Sequence, residues 1–246
     1  MEVVFLGTNG WYDTDTGNTI CILVKSEDYD VILDAGNGIY KADRYITGDK
    51  PVYLLISHFH LDHIEGLHIL NKFHFRQGLR IYGQKGTREV LKTIVNEPYT
   101  SPIDELPFSV EIHELPEGHY KVPFPLECRY LLHASPCLGY RMELEGKILA
   151  YCPDTGICEN AVNLARDADL LMAECSLRPG ERNPHWPHLN PEDAAEIARQ
   201  ANAKRLVLVH FDANRYRTIQ ERLEAVRTIS GLENCKAALD DMVLKL

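Results

Sequence analysis

The 246-residue sequence predicts an α+β or α/β protein. Short apolar, β-branched segments end in Gly, Asp or Asn, as strands do. Other segments carry helical periodicity with caps. The order is strands then helices, twice over. Two mixed β-sheets packed face to face with helices outside, a four-layer αββα sandwich, would explain that order. Periodicity by itself does not choose the sandwich. With no low-complexity tract and no long linker, one domain over residues 1–246 is expected.

In chain order, "EVVFLG", "TICILV" and "DVILDAG" read as strands, and "GIYKADRYI" as a short helix. "PVYLLIS" is a continuous apolar run and reads as a buried strand. "EGLHILNKF" suits a helix, "LRIYG" a strand, and "GTREVLKTIV" a helix stopped at "NEPYTSP". Four strands follow between residues 109 and 154: "SVEIHEL", "LECRYLLH", "LGYRMEL" and "KILAYCPD". A helix near Asn160 to Arg166 precedes the strand "DLLMAEC" and a Pro-rich loop from Arg178 to Pro191. "PEDAAEIARQAN" is a helix with Asn190 at the N-cap and Pro191 at its first position. "RLVLVHFD" is a strand, "TIQERLEAVRTI" a helix and "MVLKL" a final strand.

The formal net charge of −10 opposes non-specific adhesion to nucleic acid or anionic membrane. "MEVVFLGTNG" carries Glu2 and no basic leader, unlike a signal peptide, and no apolar run approaches the roughly 20 residues that span a bilayer. A cytoplasmic protein without membrane contact is expected. The seven cysteines are odd in number and form no C-x-x-C pair, so reduced, mostly buried thiols are expected.

"SHFHLDHIEG" places three histidines and an aspartate between His58 and His63. In an extended segment alternate side chains share a face, so His58 and His60 can converge on one cation. Asp62 and His63 fall where the chain turns and can serve a second. Two cations need more ligands, and His133, Asp154 and His210 stand at later strand ends. A single such residue is ordinarily just a hydrogen-bonded side chain; three at matching places, after the first cluster, form a set. A carboxylate can bridge. One cation would take His58, His60, His133 and Asp154, the other Asp62, His63, Asp154 and His210. All are N or O donors, so two divalent ions are expected, zinc first, with manganese or iron as alternatives.

"HFHLDH", His133, "YCPDT" and "LVLVHF", with "FLGT" and "ILDAG" before them, resemble the ordered motifs of the metallo-β-lactamase superfamily over nearly the whole chain. The resemblance implies the αββα metallo-β-lactamase fold with a dinuclear site at one edge of the sheets. "HASPCLGYR", "MAECS", the stretch from His188 to Phe211 and "NRYR" look like the ribonuclease Z and phosphodiesterase branch. That branch has a His and a Glu that assist the leaving group, and these positions match His188 and Glu174. The chain has no long Gly- and Pro-rich arm of the kind that grips tRNA, which separates it from ribonuclease Z. It also lacks the extra cysteine-rich zinc site of the small cyclic-phosphate phosphodiesterase of the carbon–phosphorus lyase pathway. His60 stands where flavodiiron proteins have Glu. Asp154 and His210 lie too close along the chain to enclose the domain inserted in β-CASP nucleases.

The resemblance implies a hydrolase, with a phosphodiester or nucleotide as the expected substrate and nucleic acid as an alternative. Two adjacent cations would activate a water and clamp an in-line displacement. Asp62 would orient the resulting hydroxide, and His188, held by Glu174, would protonate the departing oxygen. Lactone or thioester hydrolysis, tRNA 3′ processing and a non-catalytic metal-binding role are the competing readings. Asp34 in "ILDAGNG" would orient a ligating histidine or simply make a turn, with Gly36 and Gly38 permitting the return. The basic run Lys72, Arg76, Arg80, Lys85 and Arg88 would contact a further phosphate or form a solvated face. The loop holding His185 and Trp186 would offer a stacking surface for a base, or Trp186 would anchor the loop. Related folds often dimerise, so a homodimer is a further expectation.

Overall fold

In a computed structural model, which describes all residues other than Ser230 and Glu233, two seven-stranded sheets make up the centre. The first runs in the order Met242–Lys245, Glu2–Gly7, Cys21–Lys25, Asp30–Leu33, Val52–Leu55, Leu79–Gly83, Val110–Glu114. Its first four strands pair antiparallel and the rest parallel. The second runs Cys235–Ala237, Leu206–Val209, Leu170–Glu174, Lys147–Cys152, Leu138–Leu144, Pro125–Tyr130, Gly118–Lys121. It is parallel up to Lys147–Cys152 and antiparallel beyond. Both sheets are therefore mixed.

Alternation along each strand divides the core into three layers. Val3, Phe5, Ile22 and Val24 face Tyr140, Met142, Tyr151 and Met172 between the sheets. Val4, Leu6, Leu23 and Leu54 point the other way, onto Ile39, Leu67 and Leu91 of one helical layer. Ala150, Leu171, Ala173 and Leu208 meet Leu164, Ala194, Ile197 and Ala225 of the other. Three cores between four layers are the αββα sandwich. The second helical layer is Glu159–Ala165, Pro191–Gln200 and Ile219–Arg227. Asn190 caps the middle helix, accepting the Asp193 N–H at 2.7 Å, and Pro191 follows it.

The two helices expected after "ILDAG" and after the histidine cluster are wound as 3₁₀ helices, Asn37–Arg44 and Glu65–Lys72. They approach each other too closely for side chains at the contact: a Cβ on Gly66 would lie 2.3 Å from the Gly36 carbonyl oxygen. The sharp return after Leu33 is made by Asp34 itself, at φ 55°, rather than by Gly36, whose φ is −65°. Three short strands had no signal in the sequence: Asn9–Gly10, Gly118–Lys121 and Cys235–Ala237. Asn9–Gly10 pairs in parallel with Phe211–Asp212, beyond the end of Leu206–Val209. All seven cysteines are free. Among the described residues no helix is long and apolar enough to cross a membrane.

Candidate metal centre

The buried strand Val52–Leu55 delivers the histidine segment to the seam between the sheets. There Ile56 accepts the Tyr140 hydroxyl at 2.6 Å and the Ser57 carbonyl accepts the Leu138 N–H at 2.9 Å. The chain stays extended through His60 (φ −63°, ψ 144°), then coils into the short helix Leu61–Ile64 that carries Asp62 and His63. His133 lies three residues past Pro125–Tyr130, and Asp154 two past Lys147–Cys152. His210 sits between Leu206–Val209 and Phe211–Asp212 at φ 53°, a left-handed conformation in which His is one of the more frequent non-glycine residues. Its ring packs against the backbone of Gly10, where a Cβ would come within 2.4 Å.

All seven sequence-predicted ligands come together. Nitrogen and oxygen atoms of His58, His60, His133 and Asp154 lie within 4.8 Å of one another, and those of Asp62, His63 and His210 form a second such group. Asp154 lies between the two. Its Oδ2 is 3.4 Å from His58 Nε2, 3.7 Å from His133 Nε2 and 3.6 Å from His63 Nε2, and its Oδ1 is 3.1 Å from His210 Nδ1.

The donor set fits cations. His58 Nε2, His133 Nδ1 and Asp154 Oδ1 are buried without an aligned hydrogen bond, although His210 Nδ1 is close to the last of these. Buried polar atoms are ordinarily satisfied; His58 Nε2, 3.4 Å from Asp154 Oδ2, is an orphan that a cation would satisfy, whereas His133 turns Nε2, not its orphaned Nδ1, toward Asp154 and His60. Electrostatics agree. Burial pushes His58, His60 and His133 down, His133 to about 3, so these imidazoles are neutral and ready to ligate. Burial also acts against charge on His63 and His210, but the carboxylates around them outweigh it and hold both above the usual range: Asp34, Asp154 and Asp62 for His63, Asp154 and Asp62 for His210. Burial likewise opposes ionisation of Asp62 and Asp154, and the charge of His63 and His210 overcomes it. In the second group protons supply positive charge that a metal would replace.

The ligands are braced. Asp34, fully buried, accepts the Ser57 N–H on Oδ1 at 2.7 Å. Its Oδ2 accepts the Ser57 hydroxyl and the Tyr151 hydroxyl at 2.7 Å each and His63 Nδ1 at 2.8 Å. A carboxylate only accepts, so His63 carries its proton on Nδ1 and turns Nε2 to the centre. Ser57 Oγ, having donated to Asp34, is free to accept from His58 Nδ1 at 3.0 Å.

Beside the ligands stands Glu174, at the end of Leu170–Glu174 and fully buried. Oε1 accepts the Thr155 N–H at 2.9 Å and His188 Nδ1 at 2.5 Å, and Oε2 accepts the Ser176 N–H at 2.9 Å. The carboxylate is thus committed to donors rather than to a cation. Burial alone would lower His188, but the charge and hydrogen bond of Glu174 raise it to about 9. The His188 ring lies 5.2 Å from that of His133. A cavity of about 750 Å³ opens over the centre, with His60, Asp62, Asp154 and His188 in its floor and walls and Trp11 and Trp186 also lining it.

The remaining expected residues divide. Trp186 packs on His188 at 4.0 Å and lies under the Arg215 guanidinium at 4.9 Å, so it anchors the loop. His185 stays in solvent. In the basic run, Lys72 pairs with Asp43, Arg76 with Asp49 and Arg80 with Glu111, while Arg88 donates to the Ile112 carbonyl. These form a paired surface rather than a phosphate cradle at the metal centre. Sequence reasoning missed Trp11, whose N–H donates to Asp62 Oδ2 at 2.7 Å. It missed Tyr151 as well, whose only outward mark was an aromatic in a strand.

Residues 29–211 match the family profile described as a beta-lactamase superfamily domain. Among proteins of similar sequence is a ribonuclease Z from Pyrococcus abyssi, 28% identical over 269 residues, covering 85% of this chain and 86% of that one. The fold is similar to that of human tRNase Z, short form (TM-score 0.80, 24% identity, 100% of this chain and 99% of that one). It is similar also to that of a diphosphatase from the PhnP family (TM-score 0.75, 18% identity, 100% and 97%). With the profile spanning the histidine segment, His133, Asp154 and His210, the chain belongs to the beta-lactamase superfamily.

Proposed function

We propose that the protein is a dinuclear metal-dependent phosphodiesterase. The observation that carries this reading is the His188–Glu174 pair beside the ligand groups. Bound at His58, His60, His133 and Asp154, and at Asp62, His63, Asp154 and His210, two divalent ions, zinc first, would supply Lewis acidity to the phosphoryl group and lower the pKa of water. Everything else belongs to the chain. Glu174 fixes the tautomer of His188, so that the proton remaining on Nε2 is the one available to a departing alkoxide. Asp62, with Oδ2 held by the Trp11 N–H, orients the attacking water with its other oxygen. The cavity has room for groups on both sides of a phosphate.

The names of the relatives, a ribonuclease and a diphosphatase, support hydrolysis at phosphorus. Lactone and thioester hydrolysis would use the same ligands but give less purpose to an imidazolium kept protonated to about pH 9. The test is protein with quantified metal, assayed on bis(p-nitrophenyl) phosphate, a lactone and a thioester. Metal-dependent turnover of the diester is expected. Turnover of only the lactone or the thioester would overturn the reading, and stoichiometric metal with no turnover would place the protein among non-catalytic binders.

A further inference from the structure

The chain has two tryptophans, and both line the cavity over the metal centre. Their situations differ. Trp186 is engaged by His188 and Arg215. Trp11 is 65% exposed, beside Leu61 at 67% in the same cavity lining, with Tyr12 edge-on at 5.2 Å as its aromatic neighbour. Water around an indole is unfavourable, and its backbone adds to the cost: Trp11 has φ 76°. A bulky residue there is strained and persists only where its surroundings over-determine it, commonly at a ligand clamp.

The surroundings do over-determine it. The Trp11 N–H is held by Asp62. The buried Asn9 amide donates to the Tyr12 carbonyl at 3.1 Å, Thr14 Oγ1 at 3.0 Å and the Gly17 carbonyl at 2.9 Å. From the far end of the sequence, fully buried Arg222 donates to Thr8 Oγ1 at 3.0 Å, Thr16 Oγ1 at 2.7 Å and Asn9 Oδ1. Asp240 accepts the Thr8 hydroxyl at 2.7 Å and the Asn18 N–H at 2.9 Å. A buried guanidinium is costly, and here both Nη groups donate to one loop while Nε stays buried without a partner. That loop presents an exposed indole rigidly beside a residue proposed to bind metal.

We infer that Trp11 is a stacking platform for a nucleobase, so that the substrate is a small nucleoside phosphodiester with its base on Trp11 and its phosphate at the metal centre. This rests on the phosphodiesterase reading. A π-face accepts any base, and base–aromatic stacking is strong for its size. Glu65 and Asn183 line the same cavity and offer groups to a base edge. The net charge of −10 and the bounded cavity favour a mononucleotide or dinucleotide over a long polyanion.

Because the chain has two tryptophans, Trp186→Phe leaves Trp11 as the sole indole. The experiment is a fluorescence titration of the zinc-loaded full chain carrying Trp186→Phe with adenosine monophosphate and with ribose 5-phosphate, which has the phosphate without the base. Calorimetry on the wild type, Trp11→Gly and Trp11→Phe accompanies it. Adenosine monophosphate should quench Trp11 and bind roughly 5- to 150-fold more tightly than ribose 5-phosphate, the range of one base–aromatic stack. Trp11→Gly keeps the N–H and suits the left-handed φ, and it should abolish that preference. Trp11→Phe should keep part of it. Equal affinity for the two ligands in the wild type, an unquenched Trp11, or an unchanged preference in Trp11→Gly would each overturn the inference. A protein that prefers adenosine monophosphate but cleaves no diester keeps the platform and loses the proposed reaction; diester cleavage without the preference does the reverse.

Discussion

Two segments that leave interior strands of the first sheet, Val52–Leu55 and Glu2–Gly7, meet at Asp62 and work in opposite ways. The segment from Ser57 to His63 acts through its side chains: their spacing aims three imidazoles and a carboxylate at two points, while its backbone is ordinary. The loop from Thr8 to Thr19 acts through its backbone, through the N–H and positive φ of Trp11, and its inward side chains serve Arg222. Chemistry is written in residue identity. Presentation is written in hydrogen bonds from more than 200 residues away.

The sharpest break in that contrast would come at Asp154, which faces both ligand groups. Asp154→Ala should release both metal equivalents and lower turnover by roughly 10⁴-fold or more, checked by elemental analysis alongside the assay. Next in size, His188→Ala should lower kcat by roughly 10²–10⁴-fold at unchanged metal content, and more for an alkyl than for a nitrophenyl leaving group, which departs without a proton. The pH profile carries the sign. His188 is raised to about 9, so its acid form persists below that pH and is lost above it. Turnover of an alkyl diester should fall at or below about pH 9, since nearby cations can only lower the limit, and Glu174→Gln should move the fall to lower pH. A profile unmoved by Glu174→Gln would detach His188 from the protonation step.

Smaller effects test the bracing. Asp34→Asn should weaken metal binding or activity by about 10- to 100-fold, chiefly through the group that contains His63, as measured by competition with a chelator. Smallest in catalysis, Arg222→Met should leave metal affinity intact, cost about 1–3 kcal/mol of stability in denaturant unfolding through the partners it strands, and reduce the preference for adenosine monophosphate. If Arg222→Met strips the metal instead, the two segments are not separable.

The contrast also explains what could be read from the residues. Strands such as Val52–Leu55 and Leu206–Val209 are continuous apolar runs with a defined end, and the ligands stand just past such ends. The sandwich followed from the family motifs rather than from periodicity. Glu174 and His188 needed the family resemblance, since a Glu ending a strand and a His in a Pro-rich loop are unremarkable alone. Gly118–Lys121 escaped because its exposed edge leaves it with almost no apolar pattern. Trp11 escaped because a turn rich in Gly, Asn, Asp and Thr reads the same whether it merely reverses the chain or presents a ring. Of the two roles expected of Trp186, a stacking surface or a loop anchor, its contacts with His188 and Arg215 favour the anchor, and partners such as Arg215 are invisible until the chain is folded.

Arg222 and Asp240 both lie beyond residue 211, where the family profile ends. A fragment cut to the matched span would contain every one of the seven predicted ligands and would look complete by motif. It would nevertheless lack both the loop in front of them, which lies before residue 29, and the Arg222 and Asp240 clasp that holds that loop from beyond residue 211. The smallest unit recognisable as this kind of protein is therefore shorter than the smallest unit able to hold its own doorway in shape, and truncation, fusion or circular permutation near the C-terminal strand would be felt first at the entrance to the cavity.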